Sequence, residues 1–403
     1  MIRLSKFPFK TLKSIPNWSD NKSTWILLQA GFIRQTMAWV YTYTTLWLRV
    51  LRKIEKIVRE EMDNYGAFET LMPALSPKEL WEKTGRWDSI DVFFHVPAAN
   101  NKEYGLNSTH EEVVTPLMKE FIQSYKDLPT CVYQIQNKFR NEKRAKSGIL
   151  RWREFLMKDA YSFHSSDEDF INYYEWMKDV YLRIFDRLGL WEDTVIALAD
   201  WWTFTDKFSH EFQVKLDIWE DDIYICKSCG LGHNKEVVDE ESWFICAECK
   251  SKEYDLEKAS EIWNIFPLET KFTKAFGVEY LDENNKMQTP KMWCYGIWVS
   301  RAMGIVAEKY ATENWIKWPE NIAPAKYYIA IIWEENLGKA EEIIKKLNLD
   351  KDEIILDDRF SRKIGFGQKM ADADLLWIPN KIVISKKTLE NNSYELNWEL
   401  IKI

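Results

Sequence analysis

Apolar positions first recur at helical spacing over residues 51–62. Leu51, Ile54, Ile57, Val58 and Met62 share one face, charged residues take the other, and Gly66 is placed to stop the helix. A strand through Phe68 and Leu71 then runs to Pro73. In FRNEKRAKSGILRWREF (139–155), Phe-Arg-x-Glu, a polar loop and Arg-x-x-x-Phe predict two antiparallel strands joined by a flexible turn. A helix is expected over Asp167–Leu190, whereas residues 1–30 read as polar and irregular. Prolines in WPENIAP (318–324) mark a boundary. Beyond it KYYIAII, a helix from Leu337 to Leu347, EIILDD, a second helix around Gln368 to Ala373 and KIVIS alternate as a small α/β module. The expected class is mixed α/β (α+β).

Charge turns the hairpin into a candidate site. Eight basic residues lie between Lys138 and Lys158 against two acids, in a chain of net charge −8. Arg140 and Arg151 could take phosphates, Phe155 offers a stacking face, and Glu142 an acceptor for an amino group. The alternative is a solvated basic hairpin or a non-specific nucleic-acid patch. Upstream, Thr109 and Glu111 in STHEE would place a hydroxyl and a carboxylate on one side of an extended segment, suited to a secondary ammonium. The same letters also read as a helix N-cap.

Cysteine spacing adds a metal. Cys226-x-x-Cys229 and Cys246-x-x-Cys249 have the arrangement of a zinc ribbon, two knuckles offering four thiolates to Zn2+, against unligated cysteines in a degraded insertion. His233 lies inside the ribbon, but four sulfurs already complete the shell, and Cys131 and Cys294 are expected as buried inert thiols. The 403 residues suggest two or three domains. No apolar run approaches the roughly 18 residues of a membrane span, and MIRLSKFPFK lacks a signal peptide's apolar stretch, so no membrane partner and a cytoplasmic protein are expected.

These segments together resemble the class II aminoacyl-tRNA synthetases, and ILRWREFLMKDAYSFH (149–164) is similar to the prolyl-tRNA synthetases. The resemblance covers roughly residues 30–403. It implies a catalytic domain over 1–324, built on an antiparallel sheet, with motif 1 at about 48–73, motif 2 at 139–155 and motif 3 at 296–301. The ribbon, 222–253, would be a small insertion in that domain, and 325–403 an anticodon-binding domain. Between motifs 2 and 3 only a helix, strands and the ribbon are legible, so the large editing domain of bacterial-type relatives is expected to be absent. The implied function is ATP-dependent attachment of proline to tRNA(Pro) through prolyl-adenylate. Arg140, Glu142, Arg151 and Arg301 are the implied catalytic residues. ATP would meet Arg140, Glu142, Arg151, Phe155, Glu211, Gln213 and Arg301, with Glu211 a magnesium ligand. Proline would meet Thr109, Glu111, Arg140 and His210, and Arg144 the tRNA acceptor stem. Motif 1 implies a homodimer. A threonyl or glycyl enzyme, or an inactive RNA-binding paralogue, are the alternatives.

Tryptophan breaks the pattern. The chain has 21 tryptophans and 14 glycines. Trp39, Trp47, Trp152, Trp263, Trp293, Trp298, Trp315 and Trp377, with Trp201, Trp202 and Trp219, stand where the family pattern has glycine, whereas Trp87 and Trp318 match tryptophans in it. Glycines in nucleotide sites permit close backbone approach or positive φ, and an indole permits neither comfortably. The preferred reading is a gene that uses UGA for glycine, translated here as tryptophan. Returning about 14 tryptophans to glycine restores glycine to the usual share of about 7%. A divergent protein whose pocket is filled would also carry such indoles, and so would one that uses them as base-stacking platforms.

Overall fold

The computed structural model describes residues 1–12, 21–38, 40–143, 148–199, 209–217, 221–238, 244–361 and 364–402. Two compact units are resolved, Met1–Lys53 with Val306–Ile403, and Ile54–Ile305. The N-terminal 53 residues thus group with the C-terminal part.

The unit Ile54–Ile305 is organised on a nine-stranded sheet, antiparallel in all but two pairings. Its spatial order is Ser209–Lys215, Thr194–Ala199, Gly232–Asn234, Asp221–Cys226, Tyr254–Glu269, Lys291–Ile297, Glu154–His164, Thr130–Phe139 and Phe68–Glu69. The predicted hairpin is the Thr130–Phe139 and Glu154–His164 pair, in register from Thr130 opposite Phe163 to Phe139 opposite Glu154. Its second strand is buried along almost its whole length, as expected of a strand in the middle of a sheet covered on both faces.

One face is covered by the helix Asp167–Arg187. Ser166 caps it, accepting from the Asp169 amide at 3.1 Å, and three acids in the first turn complement the helix dipole. Phe170, Tyr173, Met177, Val180, Tyr181, Ile184 and Phe185 form its buried stripe. The helix Thr45–Asn64 likewise buries Leu51, Ile54, Ile57, Val58 and Met62, the five positions that the periodicity selects, and Gly66 follows at φ +84°.

In the other unit, the strands Ile354–Asp357, Tyr327–Ile331 and Asn380–Ile384 are parallel, and the helices Leu337–Lys346 and Phe366–Leu376 lie between them in sequence. The antiparallel strands Ser393–Leu396 and Glu399–Lys402 extend one side of this sheet. The N-terminal segment is not wholly irregular: Ile2–Arg3 adds a parallel strand beside Ile355 and Leu356, Arg3 Nε bonds Asp358 at 2.7 Å, and Lys22–Gln29 is a helix.

Candidate active site

A cavity of about 470 Å³ opens on the sheet face opposite the Asp167–Arg187 helix. Thr109, Arg140, Glu142, Arg151, Asp159, Glu211, Glu261, Cys294 and Trp298 are among its lining. The hairpin, the Thr109 segment and the strand before Trp298 therefore converge on one hollow.

Of the two readings of the segment carrying Thr109 and Glu111, the structure has the helix start: Glu111 opens the helix Glu111–Met118 instead of lying in an extended stretch. The pairing survives: Thr109 Oγ1 donates to Glu111 Oε2 at 2.6 Å. Glu111 stands one layer behind the cavity wall, where buried Arg86 places Nη1 3.3 Å from it and 3.0 Å from Glu112. One guanidinium thus serves two carboxylates, and burial pushes the Glu112 carboxyl up. Arg86 and Glu112 escape a sequence reading, since single charges 26 residues apart share no local pattern.

In the cavity wall, Asp159 accepts from Lys138 Nζ at 2.6 Å, Gln134 Nε2 at 2.9 Å and the Tyr161 hydroxyl at 2.9 Å. The Lys138 ammonium holds the Asp159 carboxyl below its usual range despite burial. His110 lies against this network with Nε2 3.0 Å from the Pro73 carbonyl, and burial drops its pKa to about 3, so the ring is neutral.

On the hairpin side of the cavity, Arg151 Nε pairs with Glu142 at 3.3 Å. Arg301 donates to the Glu261 carbonyl at 2.8 Å and to its carboxylate at 3.3 Å, and burial lowers its pKa to about 10, still fully charged near neutrality. Between Arg301 and Phe155 lies the indole of Trp298. It stacks on the Phe155 ring at 4.5 Å and 21°, with the Arg301 guanidinium 3.3 Å from its ring centroid and that of Arg140 at 4.7 Å. Phe155 and Arg301 thus both contact one flat ring, that of a tryptophan of the chain itself. Trp152 packs close by, its indole N–H directed at the Ile149 carbonyl.

Glu211 and His210 part company. Alternation along Ser209–Lys215 turns Glu211 towards the cavity, while His210 faces the other way, 5.2 Å from the Tyr174 ring of the covering helix. His210 is therefore corrected from a proline contact to a half-buried residue of the opposite face. Glu211 accepts from Gln213 Nε2 at 2.7 Å, Asn234 Nδ2 at 3.3 Å and Asn264 Nδ2 at 3.3 Å. Burial and the neighbouring Glu261 push its carboxyl well up. Gln213 is fully buried and supports Glu211 without lining the cavity. Arg144 lies outside the described residues.

The four ribbon sulfurs converge, Cys226 and Cys249 at 3.4 Å, Cys229 and Cys246 at 3.5 Å, and all within 4.8 Å of one another. A zinc tetrathiolate with bonds of about 2.3 Å has edges of about 3.8 Å, so the cluster has the size and donor set for zinc. Of the remaining thiols, Cys131 is buried and pushed up to about 11. Cys294 is raised by burial and the nearby Glu111 carboxylate but, unlike a plain core thiol, lines the cavity.

Comparison with known proteins places the chain. Residues 94–310 match the family described as tRNA synthetase class II core domain (G, H, P, S and T). The proline–tRNA ligase of Ehrlichia ruminantium is 36% identical over 98% of this chain and 95% of its own. The probable mitochondrial proline–tRNA ligase of Rattus norvegicus is 37% identical over 94% and 80%. Alignment with the Caldicellulosiruptor bescii enzyme, 30% identical, spreads 96% of this chain over 539 positions, so that relative carries a long stretch that this chain lacks. The Giardia lamblia prolyl-tRNA synthetase, solved in complex with prolyl-adenylate, has the same fold at a TM-score of 0.73 and 20% identity, over 92% of this chain and 71% of that one. These proline-specific relatives displace the threonyl and glycyl alternatives, and the chain belongs to the proline–tRNA ligases, the class II synthetases that join proline to its tRNA with ATP.

Proposed function

We propose that the 470 Å³ cavity is where ATP and proline meet, and that residue 298 is glycine in the protein that performs the reaction. The observation that carries this is the position of the Trp298 ring. A flat aromatic stacked on Phe155 beneath Arg301 is what a bound adenine would be, so the slot is built for a base, and the indole stands in for it. Glu142 then accepts from the adenine amino group, and Arg140 and Arg151 take the phosphates, with Arg301 reaching over the ring.

Proline enters from the Thr109 side, its ammonium drawn to the Thr109 hydroxyl and the Glu111 carboxylate. Its carboxylate oxygen attacks the α-phosphorus, the bond from that phosphorus to the bridging oxygen breaks, and pyrophosphate leaves with the electron pair. The protein forms no covalent bond in this step. Arg140 orients the attacking carboxylate and spreads the charge of the pentavalent phosphate, which is catalysis by positioning and electrostatics. Glu211 would hold magnesium, which supplies charge neutralisation at the phosphates when bound. In the second step the hydroxyl of the tRNA's terminal adenosine takes the prolyl group, with Arg144 assigned to the acceptor stem and residues 325–403 to the anticodon.

Zinc in the four-cysteine site is structural in this reading, since four thiolates leave no open position for chemistry. A homodimer and a cytoplasmic location complete it; no helix among the described residues is long and apolar enough to cross a membrane.

The competing reading, an RNA-binding paralogue with a filled pocket, rests on the same indole. Proline-dependent pyrophosphate exchange separates the two, run on the chain with tryptophan and with glycine at the positions in question. Exchange confined to the glycine version supports both the assignment and the recoding. Absence of exchange in both versions rejects catalysis.

A further inference from the structure

We infer that the four-cysteine ribbon is a wall of the catalytic cavity, and that Asn234, carried on its strand, is a positioning residue for Glu211. This rests on the reading of Glu211 as the carboxylate that faces the magnesium of MgATP.

A ribbon inserted as an appendage would hang from the sheet on a linker. This one is threaded through it. Gly232–Asn234 lies between Thr194–Ala199, to which it is parallel, and Asp221–Cys226, to which it is antiparallel. Because Ser209–Lys215 also pairs with Tyr254–Glu269, these five strands close on themselves. The closure is tight at Gly232, where a Cβ would stand 2.9 Å from both Ala197 Cβ and Val195 Cγ1, closer than side chains come. Position 232 therefore has to be glycine for the ribbon strand to sit at this depth.

Two residues further on, and so on the same face, Asn234 points towards Glu211 across the intervening strand. That strand presents Ala197, paired with Glu211 on one side and Gly232 on the other. A methyl group leaves room above it, and Asn234 Nδ2 bridges the gap to Glu211 Oε2 at 3.3 Å. Glu236, in the following turn, reaches the cavity lining.

The opposite face of the same strand holds the metal side. His233 packs edge-on against Phe244 at 5.0 Å, and its Nε2 accepts the Ala247 amide at 3.1 Å, inside the second knuckle between Cys246 and Cys249. A three-residue strand thus grips the zinc knuckle with one side chain and the catalytic carboxylate with the next. An amide is the suitable donor here. It fixes the direction of the carboxylate yet leaves its negative charge for a cation, where a lysine or arginine would neutralise it.

The test uses the full-length zinc-loaded protein with glycine at the suspect positions. Zinc content is read by mass spectrometry, ATP binding by calorimetry with and without magnesium, and proline KM by exchange. Asn234→Ala is expected to keep its zinc and melting temperature, to weaken MgATP binding roughly tenfold or more, and to leave magnesium-free ATP binding and proline KM unchanged. Asn234→Ser, which can still donate weakly, should fall between, and serves if the alanine variant folds poorly. Zinc removal by chelator should weaken MgATP binding in the same way. Unchanged MgATP affinity in the variants overturns the role of Asn234, and unchanged affinity after zinc loss overturns the coupling. A parent protein that binds MgATP without proline-dependent exchange refutes the ligase chemistry alone, while one that binds no MgATP refutes the ATP site and this inference together.

Discussion

Asn397 and Trp398 fill both central positions of the two-residue turn joining Ser393–Leu396 to Glu399–Lys402, at φ +49° and +75°. Paired positive φ angles are the mark of a type I′ hairpin turn, whose preferred sequence is Asn-Gly. The indole gains little in return, being 60% exposed with one edge contact to Phe366 at 6.3 Å. Trp333, 66% exposed, sits at φ +73° and ψ +140°, a region that glycine alone enters readily. Trp377 occupies the left-handed position closing the helix Phe366–Leu376, the usual place of a C-cap glycine. Only the last of these three is among the positions that the family pattern marks as glycine. Trp398→Gly and Trp333→Gly should each raise the free energy of unfolding by about 1 kcal/mol in denaturant titration, through relief of the Cβ clash. A neutral or destabilising result at both would show that the backbone makes no demand for glycine there. Trp377→Gly should gain less, since it gives up a stack on Trp315 at 5.7 Å.

The shared guanidinium behind the cavity sets a second expectation. Arg86 is buried between Glu111 and Glu112, so one positive charge faces two carboxylates, and a bound secondary ammonium would supply a second. Glu111→Gln keeps the shape and removes that attraction. Proline KM in exchange should rise roughly tenfold to a hundredfold, the worth of a charged hydrogen bond of about 1.5–3 kcal/mol, with ATP KM little changed. An equal rise in both constants would place Glu111 outside the proline site. Arg86→Ala instead strands buried carboxylates, and should destabilise the fold by about 3–5 kcal/mol.

Lys158 predicts a pH dependence of stability. Its ammonium is fully buried, donating to the Tyr181 hydroxyl at 2.7 Å and the Tyr295 carbonyl at 3.1 Å, and burial lowers its pKa to about 7. The facing groups are the Cys131 and Cys294 thiols and, from the next residue, the Asp159 carboxylate, too weak together to offset desolvation. Between pH 7 and the ordinary lysine value of 10.5, the unfolded chain holds a proton that the folded chain has released. Stability therefore rises with pH through this window, by up to about 1.4 kcal/mol per unit. Above pH 9 the buried thiols and tyrosines, whose folded pKa values are raised, oppose it. Urea titrations between pH 7 and 9 should show the rise, and Lys158→Met should flatten it. A slope that survives the substitution would assign the effect elsewhere.

Where local pattern and burial coincide, the chain is readable. The five apolar positions of Thr45–Asn64, the existence of a hairpin around 139–155 and the four converging cysteines need only periodicity or spacing. Failures occur where a fact depends on partners distant in sequence. Ile2 and Arg3 carry no strand signal, and pair with residues more than 350 positions away. His210 and Glu211 lie in a recognisable strand, but which of two neighbours faces the cavity is a question of parity that only the sheet answers. Thr109-His-Glu is legible both as a hydroxyl and carboxylate pair and as a helix start, and the letters alone do not say that the two readings hold together. Asn234 sits in a ribbon whose letters announce a metal, and nothing in them announces a carboxylate two strands away.

The outer edge of the sheet carries the last expectation. Phe68 is 67% exposed and Leu71 74%, beside the Phe68–Glu69 strand that ends the nine-stranded order. A bare apolar edge strand invites pairing with another chain unless it is charged, bulged or covered. Arg59 pairs with Glu69 at 2.9 Å, which blunts the edge by one charge, but leaves the two apolar side chains uncovered. A second copy is the occupant that the motif 1 resemblance implies, and a stable interface of about 1,600 Å² would bury them. Sedimentation should therefore show a dimer at micromolar concentration. Phe68→Glu with Leu71→Glu should shift it to monomer without lowering the melting temperature of the isolated chain, since neither side chain contributes to the core. A protein that sediments as a monomer before any substitution would remove the edge as a dimer surface, and leave these two residues for another partner.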